Sequence, residues 1–329
     1  MSGQNNRSVL LSGLSLVASG ACADGKRLFL ICAGIKGASR LGEAELDLIT
    51  ACVTLTELPG VDLMVKAAAS GYLAWLMESK LWTGMALAEP VQQALVQRLG
   101  DPDGGVRRAA AQALAASAGA EPVQQALVQR LGDPDGDVRR AVARALAASA
   151  GAEPVQQALV QRLGDPDVGV RYAAAQALAA QKLAEPVQQA LVQRLSDPDG
   201  DVRRAVARAL AASAGAEPVQ QALVQRLGDP DGGVRYAAAQ ALAASAGAEP
   251  VQQALVQRLG DPDGGVRYAA AQALAASAGA PEVQAALLPL LKDERKQVRQ
   301  AAAAALKPHA ANPLIQSALA DALAQIQTE

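Results

Sequence analysis

The apolar positions of this chain follow a pattern that repeats. From Glu89 onward, Val91, Ala94, Leu95 and Leu99 recur at helical spacing, which puts them on one face of a helix. Glu89-Pro90 opens that helix where a proline is tolerated, and Gly100 is the residue expected just past its last turn. A second apolar stripe runs through Val106, Ala109, Ala110, Ala113, Leu114 and Ser117, with Gly119 predicted to close it. Between the stripes, Asp101 reads as an N-cap and Pro102 as the first helical residue. Asp103 then places a carboxylate near the positive end of the helix dipole. The pattern predicts a helical hairpin over 89–120.

That hairpin returns at Glu121, Glu153, Glu185, Glu217 and Glu249, and in altered form at Pro281, each start 32 residues after the last. Fixed self-similarity at this period predicts stacked repeats, each burying its apolar face against its neighbours. The seventh copy diverges to Leu287-Leu288-Pro289 and a charged turn, Lys292 to Lys296. Asn312-Pro313 then opens half a repeat, a helix over 313–327. On it Ile315, Gln316, Ala318 and Leu319 stay in register with Val251, Gln252, Ala254 and Leu255, and Gln316, Asp321 and Gln325 suit the polar outer face of a terminal cap.

The spacing D-P-D-x-x-V-R-x-A-A-x-x-A-L resembles the HEAT-repeat family, especially the short bacterial type, over residues 89 to about 306. The resemblance implies an all-α chain: a right-handed, elongated α-solenoid of seven hairpins with a capping helix. It also implies that the second helix of each hairpin lines the concave side, where partners bind. The same architecture hosts bilin lyases and DNA glycosylases, so the fold alone does not settle the chemistry.

Residues 1–88 do not fit the repeat. They read as a small all-helical domain with candidate helices near 26–36, 43–55 and 61–81, and with Trp75 and Trp82 packed near the first repeat. The uncharged run from Ser8 to Ala23 falls short of the ~18 residues of a membrane span. Residues 1–23 as a secretory signal is the alternative, and would make the protein exported instead of cytoplasmic. Gly20 to Arg27 imitates a phosphate-binding loop, but Arg27 stands where a Mg²⁺-holding hydroxyl is needed, so it reads as a turn.

Composition narrows the function. A net charge of −2 and the absence of a basic stripe give no reason to expect nucleic acid or an anionic membrane as partner. Cys22, Cys32 and Cys52 lie outside the repeats with neither metal-ligand spacing nor a disulfide framework, which suits a reducing cytoplasm. No metal or cofactor is implied. The single histidine, His309, sits beside Pro308 in a turn, and no pair of carboxylates stands out for acid–base work, so no catalytic residue is assigned.

Near-identical copies allow an internal comparison. Gly105 becomes Asp137, Gly169, Asp201, Gly233 and Gly265. Arg108 becomes Arg140, Tyr172, Arg204, Tyr236 and Tyr268; Gln112 becomes Arg144, Gln176, Arg208, Gln240 and Gln272. These sites are spaced i, i+3, i+7 and fall within about 60° of one another, away from Val106, Ala110 and Leu114. They predict an exposed strip for a protein or peptide partner, with tyrosines as anchors and charges as selectors. Ala110 changes in step, to Val142 and Val206, so copying of whole units with linked changes is the competing explanation. Arg107 and its equivalents never change, and read as inter-repeat hydrogen-bond donors to carbonyls or to the Asp turns.

The expected function is therefore a non-catalytic interaction scaffold. The alternatives are an enzyme akin to bilin lyases or DNA-repair proteins, or an activity in residues 1–88 that the repeats recruit or oligomerise.

Overall fold

The structure is a computed structural model that describes residues 89–179, 181 and 183–328. The expected N-terminal helical domain, the cysteines and the phosphate-loop look-alike all lie outside the described residues. The chain divides into two compact units, Met1–Ser149 and Ala150–Glu329. In the first, helices α1 (Glu89–Arg98) and α2 (Gly104–Leu114) form one hairpin, and α3 (Glu121–Arg130) and α4 (Gly136–Ala145) the next. The second unit holds α5 (Glu153–Arg162) and α6 (Val168–Leu178), α7 (Glu185–Arg194) and α8 (Gly200–Ala209), α9 (Glu217–Arg226) and α10 (Gly232–Ala241). It continues with α11 (Glu249–Arg258) and α12 (Gly264–Ala273), α13 (Pro281–Leu287) and α14 (Lys296–Leu306), and the closing helix α15 (Pro313–Thr328). Among the described residues there is no strand, and no helix is long and apolar enough to cross a membrane.

The core follows from the stripe pattern. Second helices stack on one another, α2 on α4 in the first unit and α6, α8, α10, α12 and α14 in succession in the second, while each first helix packs on its own partner. Val234, Ala238 and Leu242 are fully buried, as are Val251 and Leu255 on the next first helix. Alanines at the contacts leave no bulk between helices, so consecutive second helices sit near ~9 Å, within the usual range for small side chains. On α15, Ile315, Leu319 and Ala322 are buried while Gln316 and Asp321 are exposed, as is Leu314, and the helix closes the stack.

The turn differs from the sequence reading in one instructive way. Helix α2 starts at Gly104, not at Pro102, and Asp103 is its N-cap: its carboxylate accepts from the N–H groups of Gly105 (2.7 Å) and Val106 (3.2 Å). Asp101 instead folds the turn, accepting from the N–H of Asp103 at 2.9 Å. The two aspartates thus divide the work, and the proline lies between them in the turn. Gly100 and Gly119 are not in the left-handed region either. The first helix closes through tight bonds such as Gly100 N–H to the Gln97 carbonyl, so no positive φ is needed, and Ser196 occupies the equivalent place. Several second helices end in short 3-10 turns, such as Ala115–Ser117, before the glycine is reached.

The unchanging arginines tie repeat to repeat. Arg107 forks its Nε and Nη2 onto the two oxygens of Asp133, both at 2.8 Å, while its Nη1 donates to the carbonyls of Asp101 (2.9 Å) and Pro102 (3.0 Å). The second unit repeats this at Arg171–Asp197, Arg203–Asp229, Arg235–Asp261 and Arg267–Asp293. Both targets expected from the sequence, carbonyls and Asp turns, are used by the same guanidinium. The acceptor side chains are almost wholly buried, 1% exposed for Asp133, Asp229 and Asp261.

Burial pushes the carboxyls of Asp133, Asp229, Asp261 and Asp293 up, but the arginine fork, a backbone N–H and nearby guanidinium charge outweigh it and hold each below the usual aspartate value. A depressed folded-state pKa contributes stability that is complete above the unfolded value and lost as pH falls through the folded one. Thermal melts are therefore expected to hold steady from about pH 7 to about 5 and to drop steeply below about pH 4. A chain carrying Asp229→Asn and Asp261→Asn should start lower and lose less; equal acid slopes for the two proteins would contradict this account.

Candidate partner-binding strip

Every residue expected on the strip lies on the outward side of a second helix, yet the structure pairs most of them with each other. In the first unit, Asp137 meets Arg140 at 2.8 Å and Arg108, from the preceding repeat, at 3.6 Å. Arg144 is exposed and has no ion pair among the described residues. In the second unit, Asp201 pairs with Arg204 at 2.6 Å, and Arg208, one turn further on, is exposed and has no ion pair among the described residues. Three tyrosines are half-buried, and each phenol oxygen accepts from the carboxamide four residues on: Tyr172 from Gln176 (2.8 Å), Tyr236 from Gln240 (2.9 Å) and Tyr268 from Gln272 (2.7 Å).

Linked changes among the copies thereby acquire a local cause. Where an aspartate replaces glycine at the helix start, an arginine three residues on holds it; where a tyrosine appears, a glutamine four residues on holds its hydroxyl. Those spacings, i to i+3 and i to i+4, are the ones that bring side chains together on a helix, so the sequence carried this signal and it could have been found. The glycines at the same site have a second role. A Cβ at Gly233 would lie 3.3 Å from Arg204 of the preceding repeat, and one at Gly265 would touch the Tyr236 ring. Arg108, Arg204 and Tyr236 thus lean over the start of the next second helix.

After these internal pairs are made, the strip is a donor-rich surface. An exposed pair of this kind contributes ~0–1 kcal/mol to stability, so partners can rearrange it at small cost. Each phenol O–H hydrogen and each second carboxamide hydrogen remains open to a ligand, as do the guanidinium donors of Arg144 and Arg208. His309 lies half-exposed in the 3-10 turn Lys307–His309. Among the described residues no group of histidine, cysteine or acidic side chains could hold a metal.

One feature escaped the sequence reading. In the third copy the usual Ser-Ala-Gly turn is replaced by Gln181-Lys182-Leu183, and the Leu183 carbonyl accepts from Gln188 Nε2 at 2.9 Å. Beside it opens a cavity of ≈ 490 Å³ lined by Ala179, Gln181, Leu183, Gln188, Ala212, Ser213, Gly215 and Ala216. The departure from the repeat at three adjacent positions was the available signal.

Stacked helical hairpins with inter-repeat ladders define an α-solenoid. The HEAT repeats profile matches in overlapping windows from 92–179 through 252–322, more than half of the chain, and the protein belongs to the HEAT-repeat family. No curated protein matches the chain significantly. Among solved structures, the chain is similar to an engineered protein, with 26% identity, 86% of this chain and 82% of that one covered, and a TM-score of 0.54. It is also similar in fold to the Escherichia coli protein YibA, with 19% identity, coverage of 79% and 97%, and a TM-score of 0.51. The CpcE–CpcF complex of phycocyanin lyase from Nostoc sp. PCC7120 matches at 24% identity over 74% of this chain and 96% of that one. Its TM-score of 0.43 is too low to bear on chemistry.

Proposed function

We propose that the repeats form a non-catalytic scaffold that binds a protein or peptide segment along the outward side of the second helices. The observation that carries this reading is where the copies differ. First helices also expose side chains, such as Gln125 and Gln129, Gln189 and Gln193, Gln221 and Gln225, and Gln253 and Gln257. Those positions are identical in all six copies from Glu89 to Arg258, while the three exposed sites of the second helix switch between charged and aromatic sets. Drift on a solvated surface has no reason to spare one face. Tyrosine and arginine are also the residue types that interfaces favour. Neither nucleic acid nor an anionic membrane fits a chain of net charge −2 whose strip arginines are partly neutralised by Asp137 and Asp201.

The test compares the two faces. A partner recovered from the native host with the full chain is purified and titrated against two variants. Arg204→Ala with Arg208→Ala is expected to weaken binding by at least about tenfold. Gln221→Ala with Gln225→Ala, on the first helix, is expected to leave it within about twofold. The reverse ranking would move the interface to the first helices and leave the strip as linked drift.

A further inference from the structure

We propose that the strip of the second unit takes an acidic polyproline-II peptide, whose every third residue faces one repeat. This rests on the protein-binding reading above and names the chemistry of the segment bound. Consecutive second helices α6, α8, α10 and α12 pack directly on one another through alanine, so equivalent strip positions recur every ~9 Å. Polyproline II makes one turn in three residues with a rise of about 3.1 Å each, which returns a side chain to the same side every ~9.3 Å. A β-strand matches the distance with three residues too, but alternates faces and would send every second anchor into solvent. A helical ligand needs about six residues to span ~9 Å and turns them to different sides.

Hydrogen bonding agrees with the spacing. A polyproline-II segment has no internal hydrogen bonds and, where it is rich in proline, offers carbonyl acceptors and few donors. The strip offers the complement: phenol O–H groups, carboxamide hydrogens and guanidinium donors. Aromatic rings beside donors are the general way in which such segments are held. Charge fixes the register. Tyr172, Arg204, Tyr236 and Tyr268 stand at equivalent positions of successive second helices, and Arg208 lies one turn further along its helix than Arg204, at the position held by Gln176 and Gln240 elsewhere. Asp201 is neutralised by Arg204 at 2.6 Å, which leaves Arg208, exposed one turn beside the line from Tyr172 to Tyr236, with no ion pair among the described residues. The ligand that fits carries a carboxylate three residues from an apolar side chain on each side, and a second apolar side chain three residues further on.

The probe is a fluorescein-labelled peptide, Leu-Pro-Pro-Glu-Pro-Pro-Leu-Pro-Pro-Leu, titrated in both chain directions against the full-length protein by anisotropy. Binding in one direction is expected, weakened at least about tenfold when Glu is replaced by Lys. Arg208→Glu should reverse that preference. Peptides with one or three prolines between anchors should each bind at least about tenfold more weakly, because the anchors fall out of phase. Tighter binding of the one-proline peptide would overturn the polyproline-II geometry. Equal binding of the Glu and Lys peptides, or indifference to Arg208→Glu, would overturn the acidic register. Absence of any peptide binding while the host partner still depends on the strip sinks only this inference; a host partner indifferent to the strip sinks the protein-binding reading itself.

Discussion

Replacing Arg235 by Met is expected to destabilise the second unit by ~3 kcal/mol, because it strands a buried carboxylate. Asp261 is 1% exposed at its side chain, and its two oxygens take the fork of Arg235 at 2.8 Å each. With the guanidinium gone, the carboxylate keeps the N–H of Asp263 at 2.9 Å and the more distant Arg258 at 3.7 Å, too little to replace what was lost. Met preserves most of the stem's packing, so the loss reads the charge pair and not a cavity. Asp261→Asn should cost less, since Arg235 keeps the carbonyls of Asp229 and Pro230 and reaches some water. A double-mutant cycle by urea denaturation of the full chain should return a coupling of ~2 kcal/mol or more. The exposed pair Asp201–Arg204 is the control, with an expected coupling under ~0.5 kcal/mol. Equal couplings would mean that the ladder is only surface decoration.

The second large effect concerns binding. Truncating Tyr172, Tyr236 and Tyr268 to Ala together should weaken the complex with the host partner by ~3–6 kcal/mol, taking ~1–2 kcal/mol per aromatic anchor. Folding should change far less, because the rings stand on the outward side and their hydroxyls bond to glutamines of the same helix. Reversing Asp137 and Asp201 to Lys should chiefly alter association rate and salt dependence, as rim charges do. Calorimetric binding isotherms beside thermal melts of each variant decide the matter. Unchanged affinity would leave copied, drifting repeats as the better account. A collapsed melting temperature would show that the rings are part of the inter-repeat packing.

The amino-acid sequence by itself determined the fold. A period of 32 residues, helical spacing within each copy and prolines at helix starts leave one solution, stacked hairpins, because a lone hairpin cannot bury its stripe. It also set three varying sites at i, i+3, i+7 on one side of each second helix, because helical geometry alone gives their direction. Even the arginine ladder was foreseeable in kind, since a guanidinium that never varies beside an Asp turn needs acceptors. Only the tertiary structure decided how the turn's two aspartates divide their roles. The two aspartates of a turn look equivalent in the sequence, but the first is taken by the arginine of the preceding repeat, as Asp133 is by Arg107, while the second caps its own helix, as Asp135 does. It alone showed the tyrosines and arginines already engaged, by Gln240 for Tyr236 and by Asp201 for Arg204, which changes what a ligand would meet. Helical periodicity sets the direction of a side chain, but its hydrogen-bond partner is chosen by rotamer and by the neighbouring repeat, and those are properties of the packed array.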